Sequence, residues 1–168
     1  EKKAESVKSY CKTGRTHLMD AMPVRLDQSL LSWSDQLIHN LNLIKSTLES
    51  LKFLAIGGTA VGTGVNTHAK FSRKFAANLS SYTDIKFSEA KNSFPLMGSQ
   101  DSAVALSGQL KTMAVAIMKI SNDLRWMNSG PLAGLGEITL KPLQPGSSIM
   151  PGKVNPVIPE ATAMVAAE

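Results

Sequence analysis

The chain has 168 residues, 43% apolar and 18% charged, with a net charge of +5. That length suits one domain with its own core, and no composition shift divides it. Basic residues are scattered and aromatic ones scarce, which disfavours a nucleic-acid surface; a modest cation excess suits a small anionic substrate.

A short helix is predicted over residues 1–11, followed by the breaker-rich stretch KTGRTHLMDAMP at 12–23. From Pro23 to Gly57 no helix breaker occurs, and Leu26, Leu30, Trp33, Leu37, Leu41, Ile44, Leu48 and Leu51 recur with gaps of three and four. This predicts a helix of roughly 45–50 Å at about 1.5 Å per residue, with His39 on its face. The glycine-rich GGTAVGTGVNTH (57–68) lacks the Lys that a phosphate-binding loop requires, so it reads as a tight turn between helices in which backbones approach closely. A helix over 67–81 follows, with Asn66 and Thr67 as caps and His68 in a capping or structural role.

Residues 92–100 are again breaker-rich. From Gln100 to Asn128, Ala103, Leu106, Leu110, Met113, Ile117, Ile120, Leu124 and Met127 alternate by three and four, predicting a second long helix. Residues 129–155 form the last breaker-rich stretch. No alternating strand pattern is visible, although 136–143 has the composition of a short extended piece. A final helix is predicted over 156–168, with Pro156 in its first turn. The fold class is all-α, an elongated bundle of long helices. Low charge on such helices predicts burial against copies of the same chain, hence a homo-oligomer.

Cys11 is the sole cysteine, so an internal disulfide and an all-cysteine cluster are excluded and a reducing, cytoplasmic compartment is expected. His17, His39 and His68 lack metal-ligand spacing, and no metal or organic cofactor is expected. No uninterrupted apolar run reaches membrane-spanning length and no signal peptide is visible. The chain begins with Glu and stops within a helical pattern, and it reads as the central piece of something longer.

Two stretches carry chemistry. In TGRTHLMDAMP, His17 follows Thr16 beside Arg15 and Asp20. An imidazole there suits proton transfer near neutral pH, or equally a surface turn in which His17 bonds Asp20. In GSSIMPGKVNPVIPE (146–160), Pro151, Pro156 and Pro159 fix φ, and Gly146 and Gly152 give freedom beside them. Lys153, Asn155 and the N-terminus of the last helix converge on an anion, with Ser147 and Ser148 close by. The bland alternative is a solvated Pro/Gly connector.

GSSIMPGKVNP resembles the signature loop of the fumarase/aspartase superfamily. TGRTHLMDAMP, GGTAVGTGVNTH and SNDLRW resemble the class II fumarate hydratases in order and spacing, across essentially the whole chain but less than half of a full-length member. NPVIPE looks somewhat like aspartase. The resemblance implies a central helical domain, residues 1–168, with 146–155 as its signature active-site loop. It implies a homotetramer whose active sites are shared between subunits, acting on a small dicarboxylate without a cofactor. The implied reaction is hydration of fumarate to malate through an aci-carboxylate; elimination of ammonia from aspartate, or an inactive oligomerisation core, are the alternatives. By resemblance, Ser147 is the carbon base, and His17 serves the water side, oriented by Glu160 of another subunit. Thr16, Ser148 and the Val154 backbone bind substrate with Lys153 and Asn155.

Overall fold

A computed structural model describes all residues, 1–168. Its elements are α1 (Lys2–Ser6), β1 (Cys11–Thr16), β2 (Met19–Arg25), α2 (Leu26–Leu48), a 3-10 turn (Glu49–Lys52), β3 (Phe53–Leu54), α3 (Phe71–Thr83), β4 (Ser88–Glu89), α4 (Ser93–Gly98), α5 (Asp101–Met127) and α6 (Val157–Ala167). Helices hold a little over half of the chain, and the helical class expected from the heptad-like spacing is observed. The chain divides into two compact units, one of residues 1–40 with 112–168 and the other of residues 41–111.

In the first unit, β1 and β2 form an antiparallel hairpin, with Cys11 opposite Arg25 and Thr16 opposite Met19. The expected first helix therefore stops at Ser6, and the stretch read as a loop is mostly strand. Pro23 is tolerated because a two-stranded ribbon has only edge strands. The ladder leads directly into α2: Tyr10 accepts from the Leu26 amide at 2.9 Å, and Gln28 Oε1 reaches back to the Arg25 amide at 3.0 Å. A Gln three residues into a helix commonly satisfies such a donor. Arg25 also clamps the buried Asp27 carboxylate through two hydrogen bonds, at 2.9 and 3.1 Å. That bonding holds the Asp27 carboxyl below its ordinary pKa.

The buried side of α2 meets α5 at Trp33. Its indole N–H donates to Asp123 Oδ2 at 3.2 Å, and Lys119 both pairs with Asp123 and lies 6.0 Å above the Trp33 ring. A buried indole finds its polar partner in this way while its ring fills space. Ala116 and Met127, also on α5, are buried too.

In the second unit, α2 gives way to the 3-10 turn at Glu49, short of the predicted end near Gly57. Phe53 and Leu54 pair in parallel with Ser88 and Glu89, a tertiary contact that overrides the helical pattern. Residues 136–143, which belong to the first unit, form no paired strand. The glycine loop does bring backbones together: Gly58 accepts from both Gly62 and Gly64, and Gly57 has a left-handed φ of 90°. A Cβ on Gly58 would lie 2.5 Å from Met97 Sδ. Asn66 and Thr67 do not cap α3, which begins later, at Phe71; instead His68 Nδ1 accepts the Lys70 amide at 3.1 Å. Residues 92–100 contain α4, capped by Asn92 Oδ1 on the Phe94 amide.

Few apolar side chains are buried by this chain alone, chiefly Ala4, Trp33, Ala76, Ala116 and Met127. Val104, Leu110, Val115, Met164 and Val165 are exposed. Although no apolar run is uninterrupted, α5 is by length and composition long and apolar enough to cross a membrane, with little of it buried here.

Candidate active site

His17 and Leu18 form the two-residue turn of the hairpin, with φ of 53° and 63°. Tight hairpins require positive φ at both positions and usually meet it with Asn-Gly. Side chains with a Cβ are strained there, at about 1–3 kcal/mol each, and such residues persist only where the surroundings fix them. The turn thrusts His17 and Thr16 outward, both exposed. Asp20 does not bond His17; it pairs loosely with Arg15, at 3.9 Å.

Behind the turn lies an ionic cluster that sequence reasoning missed. Arg15 Nη1 donates to Glu137 Oε1 at 2.6 Å, and Lys12 Nζ stands 3.4 Å from Glu137 Oε2. The Glu137 carboxylate is only 10% exposed. Lys12 directs its own hydrogen bond to the Thr13 carbonyl, so Oε2 has a neighbouring charge but no hydrogen-bond donor. Glu137 is itself fixed to the end of α5, because its amide and that of Ile138 both donate to the Met127 carbonyl. Arg15 and Glu137 are 122 positions apart, and no spacing could have announced the pair.

The loop before α6 is closed at its neck by the Gly146 amide donating to the Lys153 carbonyl at 2.8 Å. A Cβ there would lie 2.7 Å from Asn155 Oδ1, so any side chain would have to displace that carboxamide. Within the loop, Ser147 Oγ accepts the amides of Ile149 and Met150, at 3.1 and 3.2 Å. Two backbone donors on one hydroxyl oxygen favour any negative charge that develops on it. Ser148 and Val154 are exposed on the same loop.

Lys153, Val154, Asn155 and Glu160 are brought together around a cavity of about 530 Å³, with Asn122, Arg125, Trp126 and Asn128 from the end of α5. Arg125 Nη1 donates to Asn122 Oδ1 at 2.9 Å. The sequence alone assigns these residues no role, although Asn122, Arg125 and Trp126 lie in SNDLRW, one of the stretches that carry the resemblance. Ser147 lines a neighbouring cavity of about 420 Å³ that shares Lys153 and Val154. Neither cavity includes Thr16 or His17.

One expectation needs correction. The start of α6 offers few of the free N–H groups foreseen for an anion. Pro156 and Pro159 have none, and the Val157 amide donates to the Asn155 carbonyl at 2.9 Å. Among the first-turn donors, Ile158 is left. Positive charge at the site therefore comes from the side chains of Lys153 and Arg125, which with three Asn carboxamides face a single carboxylate, Glu160. This arrangement can hold a small anion bearing more than one negative charge.

Residues 1–168 match, end to end, the protein family described as Lyase. The chain belongs to the lyase family. Among curated lyases, fumarate hydratase class II 2 of Pseudomonas aeruginosa is 62% identical over 168 residues, which are 100% of this chain and 37% of the relative. Fumarate hydratase class II of Xylella fastidiosa is 57% identical over 167 residues, covering 99% and 35%. The crystal structure of class II fumarase from Schistosoma mansoni superposes with a TM-score of 0.95 at 38% identity, over 98% of this chain and 38% of that one. This lyase chain thus spans a little over a third of the length of the relatives it matches.

Proposed function

We propose that this chain is the central segment of a class II fumarate hydratase, with residues 146–155 as its active-site loop. The reaction is reversible addition of water to fumarate, giving malate. Support comes from relatives of that name at 62% and 57% identity. The observation that carries the chemistry is Ser147, whose Oγ receives the Ile149 and Met150 amides beside a cation-lined cavity.

From malate, the demanding step is loss of a proton from the carbon next to a carboxylate. The electron pair moves into that carboxylate, which becomes a doubly charged aci-carboxylate. Lys153 and Asn155 supply the charge and donor that this intermediate needs, already in place before the charge develops. Ser147 takes the carbon proton as an alkoxide, held by its two amide donors. Collapse of the aci-carboxylate expels the hydroxyl, which leaves as water on receiving a proton from His17. Thr16, Ser148 and the Val154 backbone orient the substrate, and a general acid–base pair of this kind contributes about 10²–10⁴-fold. The chemistry calls for no metal or organic cofactor.

His17 lies outside both loop cavities, so we assign the proton-transfer partner to another copy of the chain, with Glu160 of one subunit orienting His17 of the next. The exposed apolar residues of α5 support self-association, and a homotetramer with active sites shared between subunits is the arrangement proposed. Lys111, Lys119, Asp123 and Arg125 interrupt α5, which favours protein rather than lipid around it. A cytoplasmic location completes the reading.

The test is an ultraviolet assay of fumarate with the full-length protein. Loss of fumarate in buffer alone supports hydration; loss only with ammonium indicates an ammonia-lyase; no loss under either condition contradicts both and leaves an oligomerisation core.

A further inference from the structure

We infer that Glu137 is a positioning residue for His17, acting through Arg15. The inference rests on the hydratase reading, in which His17 transfers the proton on the water side. Its physical basis is separate. His17 and Leu18 both hold left-handed torsions without glycine, so something beyond the turn must fix them. Thr16 pairs with Met19 across the turn, and Arg15 pairs with Asp20 one step behind. Asp20 is too exposed and too distant, at 3.9 Å, to anchor the guanidinium. Glu137 does so at 2.6 Å, from a carboxylate screened from water and tied by its own backbone to the last carbonyl of α5.

The connection runs from the end of α5 to Glu137, to Arg15, to the turn. The same end of α5 contributes Asn122, Arg125 and Trp126 to the cation-lined cavity. One helix terminus therefore sets both the cavity wall and the hairpin that presents His17. A carboxylate at 137 keeps the turn in register with that helix, which an ordinary surface ion pair would not do.

A structural role alone would also make Glu137 important, because removing one member of a buried pair leaves the other charge unpaired. The experiment separates the two roles with Glu137→Gln and with the double variant Arg15→Met/Glu137→Met, which replaces the pair by apolar side chains of similar length. Both are made in the full-length protein, measuring melting temperature, kcat and KM for fumarate, with crystal structures of wild type and double variant. Positioning predicts that Glu137→Gln lowers kcat by about 10–100-fold, the scale of a small misplacement of a catalytic group, with KM within about twofold. It predicts that the double variant regains part of the melting temperature lost in Glu137→Gln, Lys12 having lost Glu137 Oε2 in it, but not kcat, and that residues 17–18 shift or lose their positive φ. Recovery of kcat together with melting temperature would overturn the inference, as would near-normal kcat in Glu137→Gln. If wild type itself fails to hydrate fumarate, the function falls, and the turn geometry in the double variant decides positioning: an unchanged turn overturns it.

Discussion

The Gly146 amide and the Lys153 carbonyl, 2.8 Å apart, close the loop before α6 at its neck. Six residues lie between them, including the serine that gathers two amides. The side of this neck is occupied by the Asn155 carboxamide, 2.7 Å from where a Cβ on Gly146 would stand. Gly146→Ala must therefore displace Asn155 or open the neck. We expect kcat/KM for fumarate to fall by about tenfold or more, with a change of only a few degrees in melting temperature. Steady-state kinetics beside calorimetry checks this.

In the proposed mechanism Ser147 and His17 have opposite protonic roles, and they sit on separate elements, one on the loop before α6 and one on the hairpin turn. Ser147→Ala and His17→Asn should each reduce kcat by about 10²–10⁴-fold while circular dichroism stays native. Activity within a few-fold of wild type in either variant would remove that residue from the mechanism.

Val104 and Val115 lie eleven positions apart on α5 and are both exposed, at 68% and 59%. Eleven residues bring a helix back to nearly the same face, so the two belong to one open apolar stripe. Placing a charge there should oppose burial against another copy. Val115→Glu is expected to lower the sedimentation coefficient of the assembled protein, and with it the activity of shared sites. An unchanged assembly would exclude this stripe from the subunit interface.

The long helices were legible because their spacing is local. The three-and-four alternation from Ala103 to Met127 gives α5 nearly residue for residue. The same reasoning carried α2 beyond Leu48, since it could not see Phe53 and Leu54 pairing with Ser88 and Glu89. The hairpin was hidden for a different reason. Its turn is His17-Leu18 rather than Asn-Gly, and its strands are held by a carboxylate 122 positions from Arg15. In the loop before α6, composition pointed to a shaped segment, and Lys153 and Asn155 line one cavity there. It overestimated the helix N-terminus, because the two prolines that shape the segment also delete its donors.

Asp27 gives the fold a defined response to acid. Its carboxyl titrates below the ordinary value near 3.9 because Arg25 hydrogen-bonds the ionised form. The bonded carboxylate thus adds stability at pH values above about 4, and that contribution is lost as pH falls through the depressed folded value. Asp27→Asn should flatten this part of the acid limb, leaving a shallower loss of stability below about pH 4 and a curve parallel to wild type above about pH 5. Urea midpoints across that range measure it; identical acid limbs would mean the Arg25 bond is not maintained in solution.

The central claim is that the loop ending at Asn155 and the turn carrying His17 meet around one dicarboxylate, with the two elements supplied by different copies of the chain. A crystal structure of the full-length assembly with a non-reacting dicarboxylate tests it most directly. The account predicts the ligand between the Lys153 ammonium of one subunit and the His17 imidazole of another, with Ser147 Oγ against its carbon. A Lys153 side chain in bulk solvent, remote from every copy of His17, would contradict it.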